Sequence, residues 1–438
     1  MKFITPSGQE LSCLRADPLL VEQELDVRPE VARALENAAG MRAGRVFWRS
    51  EHDHLYALEL GDLGRGLPSL ANVYGFWDRY EPRPPEHEID ADLLDFSVWV
   101  AGVIEGMGEA DVRLVAQFAQ QQTGRVKVTW PEGSVLRTPD ERFVDLPGYP
   151  YPPRYVEIEG LRMAYVEEGS GDPILMLHGE PTWGYLYRHM IPPLAAVGRV
   201  IVPDQIGFGR SDKPVADNAY SYRAFVRWMR KFIFELDLTR ITLVCQDWGG
   251  LVGLRVVAQV PERFARLVAM NTGIPDGQVT RSEAGVVERS GLGGAFMQWR
   301  RLSQRQKEFD LPAMMKTAVR GRALSDAEAA AYGAPFPSVE YQTAALLWPR
   351  QVPVRPDHPG AYENHAAIQT LRGLELPVLL PWAEGDAITR AGEGVLRSIF
   401  RNCAPPLPIK GAGHFIQEDA GEEVAGHIAR WIQQTPVA

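Results

Sequence analysis

Ile241-Thr-Leu-Val-Cys-Gln-Asp247-Trp248-Gly249-Gly250 is an apolar, β-branched run that enters a tight turn and leaves as the helical stretch 251–260. Asp247 therefore stands at a strand-to-helix elbow, a turn that normally displays a nucleophile. Its backbone is cramped and needs small neighbours, which Gly249 and Gly250 supply on one side and Cys245 less generously on the other. The elbow reads x-x-Asp-x-Gly where G-x-S-x-G is usual. A serine must lose a proton before it attacks, whereas an aspartate, with a reference pKa near ~3.9, is already an anion at neutral pH. Asp247 needs no base to attack. It suits displacement at an sp3 carbon bearing a leaving group, giving an alkyl ester that an activated water must then hydrolyse.

Outward from the elbow, strands and helices alternate. Residues 155–158 and 162–167 read as a hairpin pair. Short apolar runs at 173–177, 200–202, 241–244, 267–270 and 378–380 read as strands buried on both faces. Ser221 to Leu236 carries apolar residues at helical spacing. This alternation predicts an α/β fold with a mostly parallel sheet and helices on both faces, its catalytic residues at the carboxyl ends of the strands. The rhythm breaks between Gly273 and Arg372, where helical patterns occur at 295–305, 313–319 and 325–332. So long a stretch between two sheet strands is no ordinary loop; a helical cap is expected over about 274–372.

At 438 residues the chain exceeds the usual single-domain size, and prolines at 131, 139, 147, 150, 152 and 153 suggest a junction near Ser134. Residues 1–135 carry a net charge of −9 and residues 136–438 a net −1. The acidity of the first part argues against nucleic acid or an anionic membrane as its partner. Residues 1–134 are expected to form a separate α+β domain of unknown role, with helices at 29–39 and 89–104 and strands at 45–50 and 55–60. Glu51-His52-Asp53-His54 clusters possible metal ligands, but a polar turn between two strands explains it more plainly. Cys13, Cys245 and Cys403 are too few and scattered for a disulfide framework or a zinc site. No membrane span or secretory signal is evident, so the cytoplasm is the expected compartment.

Further positions follow the logic of Asp247. His178-Gly179-Glu180 ends a strand, and the backbone N–H groups of Glu180 and Trp248 are placed to form an oxyanion hole. His414, in a small-residue loop before the last helix, fits the chain order nucleophile, acid, histidine, and would activate water. The acid orienting it is expected at Asp386, at the turn into the following helix, although Glu384 lies in the same turn and spacing alone does not separate the two. A departing halide is poorly served by a proton donor, but two indole N–H groups in a dry pocket can cradle it. Trp248, beside the nucleophile, and Trp299, in the cap stretch, are the candidates.

With these blocks in order, residues 135–438 resemble a haloalkane dehalogenase, a hydrolase of the α/β-hydrolase fold, of the subfamily whose catalytic acid follows the later of two possible strands. The resemblance runs through His178-Gly-Glu-Pro-Thr-Trp183, Asp204-Gln-Ile-Gly-Phe-Gly-Arg-Ser-Asp-Lys-Pro214, Gln246-Asp-Trp-Gly-Gly250 and Asn271-Thr-Gly. It continues through Phe296-Met-Gln-Trp299-Arg-Arg, Ala334-Pro-Phe-Pro337 and Gly411-Ala-Gly-His-Phe-Ile-Gln-Glu-Asp419. It implies Asp247 as nucleophile, His414 as base, Asp386 as acid, and Trp248 and Trp299 as halide ligands. The implied reaction turns a small halogenated hydrocarbon and water into an alcohol, halide and a proton, without metal or organic cofactor. Cys245 departs from the glycine often found at the first elbow position and reads as a packing residue. An epoxide hydrolase would use the same aspartate, histidine and acid, but needs O–H donors from the cap, for which Tyr332, Tyr341 and Tyr362 are the available tyrosines. A binding module that keeps the fold without the activity is the third reading, disfavoured because every catalytic position is filled.

Overall fold

Buried at every position, the runs Pro173–Leu177, Ile241–Gln246 and Phe264–Met270 can only be the middle of a sheet covered on both faces. The structure, a computed structural model, describes residues 130 and 132–436, without 282–286, 290, 291, 293, 357 and 359, together with five short strands before residue 77. The chain divides into two compact units, Met1–Trp130 and Pro131–Ala438.

In the first unit, β1 (Lys2–Ile4) and β2 (Glu10–Ser12) form an antiparallel pair, and β3 (Arg45–Arg49), β4 (Leu55–Leu60) and β5 (Leu70–Phe76) an antiparallel sheet. The strands expected at 45–50 and 55–60 coincide with β3 and β4. The expected helices at 29–39 and 89–104 and the cluster Glu51 to His54 lie outside the described residues.

The second unit opens with β6 (Val135–Leu136), followed by β7 (Arg154–Ile158), β8 (Leu161–Gly169), β9 (Pro173–Leu177), α1 (Ile191–Ala195), β10 (Arg199–Pro203), β11 (Lys213–Pro214), α2 (Tyr222–Glu235), β12 (Ile241–Gln246), α3 (Trp248–Gln259) and β13 (Phe264–Met270). Then come β14 (Val279–Arg281), β15 (Val287–Arg289), α4 (Gly294–Ser303), α5 (Leu311–Ala318), α6 (Asp326–Gly333), α7 (Thr343–Gln351) and α8 (Ala361–Arg372). The chain ends with β16 (Val378–Leu379), β17 (Pro381–Ala383), α9 (Gly392–Ile399), β18 (Leu407–Ile409) and α10 (Ile416–Gln434).

The central sheet runs β16-β13-β12-β9-β10-β8-β7, parallel except for the β10–β8 and β8–β7 pairings. From β9 the chain first goes to β10 on one side and later to β12 on the other. The carboxyl ends of β9 and β12 therefore flank a topological switch point, where α/β sheets open a crevice for ligands. The two loops at that crevice begin at His178 and Asp247.

The expected strand 378–380 is split. Val378–Leu379 pairs with β13, while Pro381–Ala383 pairs in parallel with β18. Pro381 has no N–H to give to a ladder, and the change of partner falls beside it. The cap helices at 295–305, 313–319 and 325–332 appear as α4, α5 and α6, the last entered through a Ser325/Glu328 capping box. Helix α7 was not expected, because Pro349 lies inside it. Helix α8, within the stretch assigned to the cap, instead packs against α3 of the body, where Arg255 donates to Asn364 at 3.0 Å.

Candidate active site

Asp247 follows β12 directly and caps α3 with φ 50° and ψ −126°. For a residue with a Cβ such a conformation costs on the order of 1–3 kcal/mol, so its surroundings must impose it. They do so on both sides of the peptide. The Asp247 N–H donates to the Asn271 carbonyl (3.1 Å), and its own carbonyl accepts from the amides of Gly250 (2.9 Å) and Leu251 (3.1 Å) and from the Thr272 hydroxyl (2.6 Å). A side chain at Gly249 would meet the Leu177 carbonyl oxygen well inside van der Waals contact. Gly249→Ala should therefore push helix and sheet apart and cost about 1–3 kcal/mol, read as a lower urea midpoint at unchanged slope.

The carboxylate produced by this turn is held at each oxygen. Oδ1 accepts the backbone N–H of Glu180 at 2.8 Å, and Oδ2 lies 3.4 Å from His414 Nε2. Trp248 N–H, the first of α3, belongs to the amides that a helix leaves without an internal partner, and the helix start favours negative charge there. The other ring nitrogen of His414, Nδ1, lies 3.1 Å from Asp386 Oδ1. Asp386 is 1% exposed, and its carboxylate also accepts from the Ile388 amide (2.8 Å) and the Thr389 hydroxyl. Glu384 is exposed to solvent. The structure thus brings Asp247, His414 and Asp386 into one line and leaves Glu384 out.

Burial works against the charge on Asp386, but the His414 ring, the Thr389 hydroxyl and the Ile388 amide outweigh it and hold its pKa down at about 2. Burial likewise opposes protonation of His414, yet Asp386 and Asp247 overcome it and hold the imidazole up at about 10. The two flanking carboxylates thus favour a proton on the ring.

Sequence reading overlooked what orients the histidine loop. The Asn271 amide donates to the carbonyls of Gly413 (2.9 Å) and His414 (3.0 Å) and accepts from the Ala383 N–H (3.0 Å), while Gln246 donates to the His414 carbonyl (3.1 Å). Gln246 is the last residue of β12 and Asn271 the first after β13, and this place at a strand's carboxyl end was the available signal.

These groups wall a cavity of about 500 Å³ bordered by Asp247, Trp248, Trp299, His414 and the Glu180 side chain, and otherwise largely by apolar residues such as Leu251, Phe296 and Met314. Trp248 is stacked on Trp348 (ring centroids 5.1 Å, 6° between planes) and abuts Tyr222 edge-on. Trp299 borders the same cavity from α4, and its indole is hydrogen-bonded to the Glu180 carboxyl. Burial and the neighbouring Asp247 push the Glu180 carboxyl well above the usual range. Tyr332 is turned away, its hydroxyl bonded to Glu418, and Tyr341 does not border the cavity. Cys245 is fully buried with its thiol against the Val268 carbonyl (3.6 Å), and burial raises its pKa, as suits a packing residue.

Among the described residues no three His, Cys, Asp or Glu side chains are grouped to hold a metal ion, and no helix is long and apolar enough to cross a membrane.

The family model for the alpha/beta hydrolase fold matches residues 172–421. The chain is 41% identical to a haloalkane dehalogenase of Psychrobacter cryohalolentis over 312 residues, 69% of this chain and 99% of that one. It is 42% identical to a haloalkane dehalogenase of Mycobacterium marinum over 307 residues, 68% of this chain and 99% of the other. Among solved structures it is similar to a tetrameric haloalkane dehalogenase of Paraglaciecola agarilytica, with a TM-score of 0.61 and 37% identity over 67% of this chain and 97% of that one. Relatives matched over nearly their whole length at this identity leave one assignment: the chain belongs to the haloalkane dehalogenases, enzymes of the α/β-hydrolase fold that hydrolyse carbon–halogen bonds.

Proposed function

We propose that Asp247 is the nucleophile, His414 the base, Asp386 the acid that orients it, Trp248 and Trp299 the halide ligands, and the amides of Glu180 and Trp248 the oxyanion hole. The observation that carries this reading is the line Asp247–His414–Asp386 along the wall of a mainly apolar cavity that two indole rings also border. Asp247 Oδ1 is engaged by the Glu180 amide, which leaves Oδ2 to attack. The new C–O bond forms as the carbon–halogen bond breaks, and the halide departs with the electron pair toward the indole N–H groups. A water then loses a proton to His414 Nε2 and adds to the ester carbonyl, whose oxygen, Oδ1, takes up negative charge against the two amides. Collapse releases the alkoxide, which leaves as a primary alcohol after protonation, and restores the carboxylate.

The charge balance favours this order. While Asp247 is ionised it supports a proton on His414. Once Asp247 is an uncharged ester that support is gone, and the imidazole is freed to act as a base at the step that requires one.

Parallel assays with a bromoalkane and styrene oxide test the reading. Bromide release without diol formation is expected, because Tyr332 is committed to Glu418 and offers no proton to an alkoxide. Diol formation at a comparable rate would overturn it.

Residues 1–134 form a separate domain of unknown role, a view supported by the division of the chain at Trp130/Pro131 and by the acidity of the first part. The free thiols of Cys245 and Cys403 support a reducing compartment, the cytoplasm.

A further inference from the structure

Two consecutive carboxylates at the start of α10, Glu418 and Asp419, join the cap to the body of the enzyme. Glu418, 2% exposed, accepts from Arg188 of the body (3.0 Å from Nη2, with Nη1 closer still) and from Arg322 (2.8 Å) and Tyr332 of the cap. Asp419 is bound differently, through backbone. Its Oδ1 accepts the N–H groups of Arg320 (2.7 Å) and Gly321 (2.5 Å), in the linker between α5 and α6, and its Oδ2 accepts the N–H of Gly413 (2.7 Å). Gly413 immediately precedes His414.

The packing leaves no slack at this junction. A Cβ on Gly321 would come within 2.9 Å of the Asp419 Cβ, and one on Gly413 within 3.0 Å of the Arg320 side chain. The histidine loop is thus anchored at its carbonyls by Asn271 and Gln246 from the sheet side, and at its Gly413 amide by Asp419 of α10, the same carboxylate that holds the cap linker.

We propose that Asp419 is a positioning residue that ties the seating of the cap linker to the aim of the His414 ring, and so sets the rate of ester hydrolysis. This rests on the reading of His414 as the base. Alkylation of Asp247 needs no base, so a histidine loop released from Asp419 leaves the first step fast and slows the second. Small displacements of a catalytic group from its working geometry cost about tenfold or more.

Rapid-quench mass spectrometry on the full chain with a dibromoalkane separates the two steps. Asp419→Asn replaces one acceptor oxygen by an amide N–H that opposes the backbone donors. It is expected to slow decay of the alkylated enzyme about tenfold while changing adduct formation less than about twofold. Gly321→Ala strains the same contact from the cap without touching the histidine loop and should give the same signature should Asp419→Asn fail to fold. General damage to the fold would lower both phases together. Equal slowing of both steps, slowing of adduct formation alone, or no change in either folded variant overturns the proposal. Absence of any adduct in the parent and in His414→Phe would instead overturn the reading on which it rests.

Discussion

His414→Phe is expected to form the alkyl ester and stop there. The substitution keeps an aromatic ring of similar size in a site whose side chain is 13% exposed, and removes the only imidazole within reach of Asp247 among the cavity residues. General-base help to water contributes about 10²–10⁴-fold, so turnover should fall by that factor while the first equivalent of halide still leaves. Intact-mass measurement should show an increase equal to the alkyl group, and peptide mapping should place it on Asp247. Multiple turnover at the parental rate would remove His414 from the mechanism.

Asp247→Ala is expected to abolish halide release, by at least about 10⁴-fold in kcat, because no covalent intermediate can form. Fold and cavity should survive. The elbow peptide is held by its neighbours' backbone and by the Thr272 hydroxyl, none of which depends on the carboxylate. The residue keeps φ at 50°, where alanine is no better suited than aspartate, so the variant relieves charge and not backbone strain. Bromide release from a dibromoalkane, followed with the halide-specific signal of an ion electrode, checks this. An undiminished rate would mean that the carboxylate only looks like a nucleophile.

What could be read from residues alone was what short-range chemistry determines. The elbow was legible because strand, turn and helix are contiguous in 241–260 and the glycines sit where a side chain would strike Leu177 and Thr272. His414 stood out as a candidate from its small-residue loop and its place after the candidate nucleophile and acid in chain order. Asp386 and Glu384 could not be separated by spacing, because the distinction is three-dimensional: one is buried against the His414 ring and the other faces solvent. Asn271 and Gln246 were missed for a related reason, as they act on backbone carbonyls more than 140 residues further along the chain. Helix α7 was hidden by Pro349, and β18 by the prolines at 405, 406 and 408 around it, since proline normally argues against both elements.

The central claim is that a carboxylate oxygen of Asp247, and not water, makes the first bond to carbon. A single turnover with enzyme in excess, run in heavy-oxygen water, tests it directly. If Asp247 is the nucleophile, the alcohol from that turnover carries ordinary oxygen taken from the carboxylate, and the label appears in the peptide containing Asp247. Label in the alcohol on the first turnover, with Asp247 unlabelled, would show that water attacks the carbon and would contradict the account.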